Sequence, residues 1–428
     1  MLSKSIKKKE SVLLKREKRL AYSLLFPTVI MVLSIVLIPL FANFWISFKP
    51  ISLSDLRPPK LILKEKVRGK LTENKNTSEI HYRYRNSSPK YSLNNVTFYD
   101  LIPTGIKVIG INSKKNCFVN SNKIVCNLGE VKPRSYGKII VKISKNDTWE
   151  PKRDNPRIFK PISKYETKNV LTTLEFTFAN FKKIFSVDEF WEVLKISIYY
   201  TIFGTAGALV VGLFAAQILL KSFKGRPIIR GLLLFPYVSP VIAVAFTWVI
   251  LFDPFSGVVN SLLTQMNVIE KPINFFGQKY LIINIFGYEL NFPLALTMVI
   301  IFEIWRYFPL SFLFILAKIQ SIPRDIYEAA EIDGATPIQQ FCYISIPFLI
   351  GIITVLFLLR FIWTFNKFDD IFLLTGGNAG TRTLTVNVYE QAFAVSNLGA
   401  GAAVAVIIFL FLLIFSTFFI KFSKKESI

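Results

Sequence analysis

Charged and hydrogen-bonding side chains interrupt the apolar stretch 291–317 of this chain. Glu303 lies three residues before Arg306, so the two would share one helix face and could form an ion pair. Trp305 and Tyr307 lie beside them and could stack on the C–H surface of a sugar ring, although a tryptophan in a membrane helix more often anchors at the interface. Since a buried charge needs a partner or water, the pair either holds helices together or lines a polar path.

A second polar group lies at the end of the apolar stretch 346–364. Two cations of this group, Arg360 and Lys367, are unusual for a path that carries a neutral solute. They could bind an anionic ligand, or they could pair with Asp369 and Asp370. Charge alone does not decide between these interpretations. The five residues of this group are Arg360, Trp363, Thr364, Asn366 and Lys367.

The chain offers little material for metal or nucleotide chemistry. It contains one histidine, His81, and three cysteines, which disfavours zinc, iron and haem sites. No GxxxxGK[ST] phosphate loop is present, and the nearest string, GGNAGTRT from Gly376, has arginine where lysine is needed. We therefore expect no metal site, no bound cofactor and no catalytic residues.

Composition indicates a membrane protein. Of 428 residues, 52% are hydrophobic and 15% aromatic, which is more apolar surface than one soluble core can bury. Several stretches without Asp, Glu, Lys or Arg are long enough to cross a bilayer. The sequence predicts an all-α polytopic protein with six transmembrane helices, at 20–48, 192–220, 227–251, 291–317, 346–364 and 398–420.

The distribution of charge predicts the orientation of these spans. The first 19 residues carry eight Lys and Arg, and the loop from Lys221 to Arg230 and the tail 421–428 are also basic. Basic flanks and basic short loops favour the cytoplasm, so both termini are expected on the cytoplasmic side of the plasma membrane. A cleaved signal peptide is the alternative for the first stretch, but its uncharged run is too long and no small-residue cleavage site follows.

This orientation places residues 49–168 outside the cell, as an insert before the helical core 169–420. The insert holds 26 basic and 10 acidic residues, or 16 of the net charge of +24, and long segments are translocated largely regardless of charge. The charge therefore need not indicate nucleic-acid binding. Four Asn-x-Ser/Thr sequons are glycosylation candidates, at Asn76, Asn86, Asn95 and Asn146.

Short β-type runs separated by turn signals predict that the insert is a small β-sandwich. Cys117 and Cys126 flank the turn Asn120-Ser121-Asn122 and could face each other across a hairpin, as a disulfide or as two free thiols. The segments NNVTFYDLIPTGIKVIG and NCFVNSNKIVCNLGEV resemble the immunoglobulin-like repeat domain of bacterial and archaeal surface proteins. That resemblance implies a fold only.

The segment 321–347, SIPRDIYEAAEIDGATPIQQFCYISIP, reads as two helices joined by a sharp turn, and we call it the elbow. Ser321 could cap the first helix, with Pro323 in its first turn, and Gly334 supplies a left-handed residue just past its end. Thr336 then starts a second helix, with Pro337 at its first position and Gln339 completing a capping box. An ordinary inter-helix loop is the simpler interpretation.

The spacing of EAA, DGA and I-x-I-P in the elbow resembles the signature of the membrane subunits of binding-protein-dependent ABC importers. The stretches FPYVSPVIAVAFTWVILFDPFSGVVN and FDDIFLLTGGNAGTRTLTVNVYEQAF are similar to the maltose and glycerol-phosphate type of sugar permease. The resemblance implies the type I importer permease fold, with the elbow as the helix that couples to the ATPase. The coupling residues it implies are Glu328, Ala329, Ala330, Asp333, Gly334 and Ala335. It also implies that the solute contacts lie on the second polar group, Arg360, Trp363, Thr364, Asn366 and Lys367.

The resemblance also implies the partners and the activity. We expect a transport subunit, not an enzyme, that pairs with a second permease, two ATPase subunits and an extracytoplasmic solute-binding protein, with ATP and Mg²⁺ used by the ATPases. A sugar or oligosaccharide is the expected solute, and glycerol phosphate is an alternative. A membrane-anchored adhesin and a glycosyltransferase using Asp369 and Asp370 are alternatives of other classes.

Overall fold

The computed structural model describes residues 12–69, 71, 76–150, 160–186, 188–220, 222–285 and 288–426. Most of the basic amino-terminal segment expected in the cytoplasm lies outside these ranges, as do the last two residues of the tail. The chain divides into a helical unit and a β unit, and the β unit consists of Lys49–Thr177 together with Ser396–Leu398.

The helical unit contains fourteen α-helices among the described residues. They are α1 (Val12–Val32), α2 (Ile38–Ser47), α3 (Ala179–Phe185), α4 (Asp188–Ile218), α5 (Arg226–Val238), α6 (Val241–Leu251), α7 (Val258–Gln265), α8 (Leu294–Gln320), α9 (Arg324–Ile332), α10 (Pro337–Gln340), α11 (Ile346–Phe365), α12 (Asp369–Thr375), α13 (Leu384–Tyr389) and α14 (Leu398–Glu426). Three π-helical turns, Leu33–Leu37, Phe341–Ser345 and Glu390–Ala394, lie among them.

In the described part of the chain, five continuous helices are long and apolar enough to cross a membrane. They cover Arg16–Ser47, Asp188–Ile218, Leu294–Gln320, Pro337–Phe365 and Leu398–Ser423. The fifth expected span therefore begins at Pro337, because the π-turn Phe341–Ser345 joins α10 to α11 without a break. The second helix of the elbow and this span are one continuous helix.

The expected span 227–251 is not a straight helix. Its two halves, α5 and α6, meet at 93°, and they make a sixth span only if the bent pair is counted as one. The cause is local: Ser239 precedes Pro240, whose ring disfavours the helical conformation of the residue before it, and the ψ of Ser239 is 143°. The hydrophobic run alone gave no sign of this bend.

Helix α4 approaches α8 through a face of small residues spaced four apart: Gly204, Ala208 and Gly212. A Cβ on Gly204 would lie 2.8 Å from Cγ of Glu303, and one on Gly212 would lie 2.7 Å from Cβ of Ser311. Ala208 is fully buried between them. Small residues at this spacing let membrane helices approach closely, so α4 and α8 form a tightly packed pair.

The β unit is a sandwich of two antiparallel four-stranded sheets. Its strands are β1 (Leu61–Arg68), β2 (Thr77–Asn86), β3 (Leu93–Leu101), β4 (Ile106–Asn112), β5 (Asn116–Asn120), β6 (Lys123–Val131), β7 (Tyr136–Lys145) and β8 (Ile162–Glu166). The sheet orders are β1-β2-β7-β4 and β5-β6-β3-β8, and a separate hairpin in the helical unit pairs β9 (Leu281–Ile285) with β10 (Tyr288–Phe292). Tyr82 and Ile139 from the first sheet and Phe98 from the second share one buried core.

The β unit extends past the expected boundary at residue 168, to Thr177. Lys49 connects the segment after residue 168 to the start of the β unit. Its buried ammonium donates hydrogen bonds to the carbonyl of Val170 at 3.2 Å and to the carbonyl of Thr173. Burial lowers the pKa of Lys49 from its ordinary value, since desolvation penalises the charged amine. The two chain connections of the β unit are thus tied together by one side chain.

A disulfide joins Cys117 to Cys126, which lie directly opposite each other in the hairpin of β5 and β6. Among the sequons, Asn86 is wrong as a glycosylation candidate. Its side chain is 2% exposed, and its amide donates to the carbonyls of Tyr91 and Val131 at 2.8 and 3.1 Å. A glycan would need that nitrogen in solvent; Asn76, Asn95 and Asn146 are exposed and stay predictions.

Candidate functional site

Glu303, at the middle of α8, is fully buried and accepts three hydrogen bonds from three different side chains. The hydroxyl of Tyr200 in α4 donates at 2.9 Å. From α11, the guanidinium of Arg360 donates at 2.5 Å and the hydroxyl of Thr364 at 2.9 Å. One carboxylate thus connects three of the candidate spans.

A second carboxylate lies close by, on the short helix α12. Asp370 is fully buried, 3.9 Å from Nε of Arg306 and 3.6 Å from Nζ of Lys367. Arg306 also donates to the carbonyl of Ser239 at 3.1 Å, where α5 bends into α6. This half of the site therefore links α8 and α12 to the broken helix.

Tyr307 lies between the two carboxylates. Its hydroxyl accepts a hydrogen bond from Nε of Arg306 at 3.2 Å and another from Lys367. The guanidinium of Arg360 lies 4.4 Å from the centre of its ring, within the range of a cation–π interaction. We call the whole set the Glu303 cluster: Tyr200, Glu303, Arg306, Tyr307, Arg360, Thr364, Lys367 and Asp370.

The charges of the Glu303 cluster nearly cancel. Three cations, Arg306, Arg360 and Lys367, face two carboxylates, so the cluster carries one positive charge in excess when all five groups are ionised. A buried charge is tolerated when it is paired and hydrogen-bonded. The arrangement can hold spans together, and its excess charge favours an anionic group over a cation.

The structure brings five of the eight expected solute contacts into this cluster and leaves three outside it. Trp305 packs against Trp248 and Phe302, with ring centres 5.4 and 6.2 Å away, as part of an apolar core. Trp363 is 50% exposed on α11. Asn366 is exposed, and its amide donates to the carbonyl of Ile362 in its own helix at 2.8 Å.

Glu303 and Arg306, which could have paired, do not pair with each other. Although the two are three residues apart, Arg360 from α11 takes the carboxylate, and the guanidinium of Arg306 turns to Ser239 and Asp370 instead. Lys367 does pair with Asp370, as one of the alternatives proposed, while Arg360 does not.

Sequence reasoning overlooked Tyr200. It lies in a stretch without charges, so its hydroxyl gave no ion-pair signal. The sequence did contain a usable signal, the face of small residues on α4. Gly204, one turn after Tyr200, allows Glu303 to approach α4 closely.

The elbow is a helix, a left-handed glycine and a second helix. Gly334 has a φ of +81°, its amide donates to the carbonyl of Glu331 at 3.0 Å, and the amide of Ala335 donates to the carbonyl of Ala330 at 2.9 Å. This pair of bonds is a Schellman motif, which ends α9 and reverses the chain. The capping box of Thr336 and Gln339 then starts α10 as expected.

The start of the elbow differs from expectation. The hydroxyl of Ser321 donates to the carbonyl of Lys318 at 2.7 Å, which places Ser321 at the end of α8. Pro323 occupies the position before α9, and no side chain caps that helix. A proline there disfavours the helical conformation of the preceding residue, so the chain turns between α8 and α9 without a serine cap.

The elbow exposes both charged and apolar side chains. Glu328, Ala329, Asp333 and Gly334 are exposed, while Ala330 and Ala335 are half-buried by the turn they form. Beside them, three large apolar side chains are largely exposed: Ile332 at 87%, Ile338 at 75% and Tyr343 at 80%. Such a surface suits contact with another protein.

Together, the long apolar helices, the buried charges that link them and the exposed elbow define a multi-spanning membrane transport component. Residues 208–425 match the family described as "Binding-protein-dependent transport system inner membrane component". Since this match covers half of the sequence, the chain belongs to that family, as the elbow signature predicted.

Individual relatives agree with this assignment. The chain is 34% identical over 222 residues to the inner membrane ABC transporter permease protein YcjO of Escherichia coli, covering 52% of this chain and 70% of YcjO. It is 32% identical over 221 residues to the trehalose/maltose transport system permease protein MalF of Thermococcus litoralis, covering 51% and 69%. The sn-glycerol-3-phosphate permease protein UgpA of E. coli is 30% identical over 230 residues, covering 52% and 70%.

Among solved structures, the chain resembles one from a bacterial ABC transporter that imports the acidic polysaccharide alginate. The TM-score is 0.52 at 21% identity, over 59% of this chain and 85% of that one, which shows a shared fold. The chain is therefore a permease component of a binding-protein-dependent ABC importer and not itself an enzyme. The glycosyltransferase alternative is excluded, and Asp370 is instead buried among cations.

Proposed function

We propose that this chain forms half of the membrane pathway of an ATP-driven importer for a sugar or oligosaccharide. The support is the character of its relatives, since MalF is a trehalose/maltose permease and the similar solved structure belongs to an alginate importer. A second, similar permease completes the pathway, and a solute-binding protein delivers the solute outside. Two ATPase subunits bind and hydrolyse ATP with Mg²⁺.

The observation that carries this proposal is the construction of the elbow. Its exposed helix α9 ends in a Schellman turn, and the helix that follows runs without a break from Pro337 to Phe365. A partner that moves the elbow therefore moves a lever whose far end carries Arg360 and Thr364. Both of these side chains hold Glu303 in α8, so the movement reaches the neighbouring spans.

We assign the coupling role to Glu328, Ala329, Ala330, Asp333, Gly334 and Ala335. The small side chains keep the turn compact, and the exposed acids can pair with basic groups of an ATPase. Ile332 and Ile338 add apolar area to the same surface. Closure of the ATPases would pull on this surface and rock the spans between inward and outward access.

An anionic solute is the second candidate. The excess positive charge of the Glu303 cluster favours this candidate. So does the 30% sequence identity to UgpA, a glycerol-3-phosphate permease protein. Competition of labelled solute uptake by neutral and by phosphorylated or carboxylated sugars distinguishes the two candidates.

The coupling role is tested by Gly334→Val in the assembled importer. A Cβ at this position meets no atom within 4 Å, so the substitution acts through the left-handed backbone alone, at a cost of ~1 kcal/mol or more. We expect lower uptake and lower solute-stimulated ATP hydrolysis, with normal membrane insertion.

The matched control is Gly351→Val in α11, where a Cβ also meets no atom within 4 Å and φ is not positive. This variant should transport normally. Normal uptake by a well-expressed Gly334→Val variant would contradict the coupling role.

A further inference from the structure

The outer face of the sheet β1-β2-β7 carries a row of like charges. Lys64 in β1 lies directly opposite Arg83 in β2, and Arg83 lies directly opposite Lys138 in β7. All three side chains are exposed, while the alternate residues Tyr82 and Ile139 are buried in the sandwich core. Like charges directly opposite each other destabilise a sheet, so the row works against the stability of the unit that contains it.

The next row on the same face adds a fourth cation and an aromatic ring. Ile62 pairs with Arg85, and Arg85 pairs with Tyr136, whose side chain is 84% exposed. Because successive residues on one face of a strand are two apart, the two rows lie roughly 7 Å apart.

The two rows form a groove of about 500 Å³. Its lining contains no acidic residue and is made of Ile62, Lys64, Arg83, Tyr84, Arg85, Tyr136, Gly137 and Lys138. Within the described part of the chain, none of the four cations belongs to an ion pair. The acid of this face, Glu79, is engaged by Nε2 of His81 at 2.8 Å.

We propose that this groove, which we call the β1-β2-β7 groove, binds an acidic oligosaccharide. Guanidinium groups form forked hydrogen bonds with carboxylates, and the face of an exposed tyrosine suits the C–H surface of a sugar ring. Cations in successive rows match a linear polymer that repeats its negative charge. A bound polyanion would also remove the repulsion within the row Lys64, Arg83 and Lys138.

The anionic character of the ligand follows from the groove alone. The choice of a saccharide over other polyanions rests on the proposed carbohydrate function. Binding to a flat anionic membrane surface would not need a groove with an exposed aromatic ring. Such binding is therefore not proposed, and the test includes it as an outcome that would contradict the proposal.

The test uses the full chain in detergent, with oligogalacturonate of five residues as the probe and maltopentaose as its neutral counterpart. We expect calorimetry to show binding of the acidic probe only, weakening as salt is raised. Arg83→Gln and Lys138→Gln should each weaken binding about tenfold, since each removes charge-assisted hydrogen bonds. Lys164→Gln, an exposed lysine on the other sheet, is the control and should bind as the parent does.

The unfolding temperature is a second measurement, which distinguishes a variant that has lost contacts with the ligand from one that no longer folds. Relief of like-charge repulsion should leave the unfolding temperature of the Arg83→Gln variant unchanged or raise it. Equal binding by all variants, binding of maltopentaose, or tighter binding to phosphatidylglycerol vesicles or to an oligonucleotide would overturn the proposal. Because binding is measured without transport, a negative result here is distinguishable from a failure of the proposed function, which is tested by uptake in the elbow variant and by competition of solute uptake.

Discussion

Glu303 is a carboxylate that survives inside an apolar helix because every neighbour that could stabilise its charge is supplied by another element. Tyr200, Arg360 and Thr364 all donate to it, and Arg360 in turn is held by the ring of Tyr307. A charged group so enclosed stabilises the bundle only while its partner is present. The same geometry makes it a sensitive point of the structure.

We therefore predict that Glu303→Gln lowers the stability of the solubilised chain, by roughly 3 to 5 kcal/mol, because it leaves Arg360 buried without a counter-charge. The measurement is the unfolding temperature in detergent without solute. Glu289→Gln, on an exposed carboxylate of β10, is the control and should change nothing. If the Glu303 variant kept its unfolding temperature but lost uptake, Glu303 would contact solute instead of holding helices.

At the scale of elements, the packing of α4 on α8 determines whether this cluster can form. The face Gly204, Ala208 and Gly212 brings the helices so close that a single methyl group at two of these positions would overlap α8. The bend between α5 and α6 has a comparable role, because it exposes the carbonyl of Ser239 to Arg306. Residues without charge thus position the charged ones.

Gly212→Val should separate the two helices, since its Cβ would lie 2.7 Å from Cβ of Ser311 and 2.8 Å from the amide of Phe312. Backbone at that distance cannot give way as a flexible side chain can, and overpacking costs ~1–3 kcal/mol or more. We expect a lower yield of monodisperse protein on size exclusion. Gly231→Val in α5, with no atom within 4 Å of its Cβ, should give the parental yield; equal yields from both variants would contradict the close packing.

At the scale of the whole molecule, the β unit is inserted between the first candidate span and the rest of the helical unit. Its disulfide and the free cysteine of the elbow belong to different units. If the expected orientation is correct, Cys117 and Cys126 lie on the extracytoplasmic side and Cys342 lies on the cytoplasmic side, so the three cysteines report on both sides.

An impermeant thiol reagent applied to intact cells should label no cysteine before reduction and should label the half-buried Cys117 after it, because Cys126 is fully buried in the sandwich core. In permeabilised, unreduced cells it should label one, Cys342, and a Cys342→Ser variant should remove that signal. Labelling of Cys342 from outside would reverse the orientation. Labelling of Cys117 without reduction would refute the disulfide.

Features that depend on neighbours along the chain were determined by the sequence. The apolar stretches located the helices, the turn at Gly334 and the capping box at Thr336 shaped the elbow, and Cys117 and Cys126 faced each other across a short hairpin. In each case the interacting groups lie within about ten residues, so spacing and side-chain type define the local geometry.

Choices among partners from distant parts of the chain were decided by the tertiary structure. Glu303 had Arg306 one turn away, yet its partner Arg360 is 57 residues distant. The same holds for Asn86, which looked like an exposed sequon until its amide was found bound to Val131, 45 residues on. Which side chains meet depends on how each helix is rotated about its axis and on what covers each sheet. The packing of whole elements against one another determines both, so no local sequence pattern predicts them.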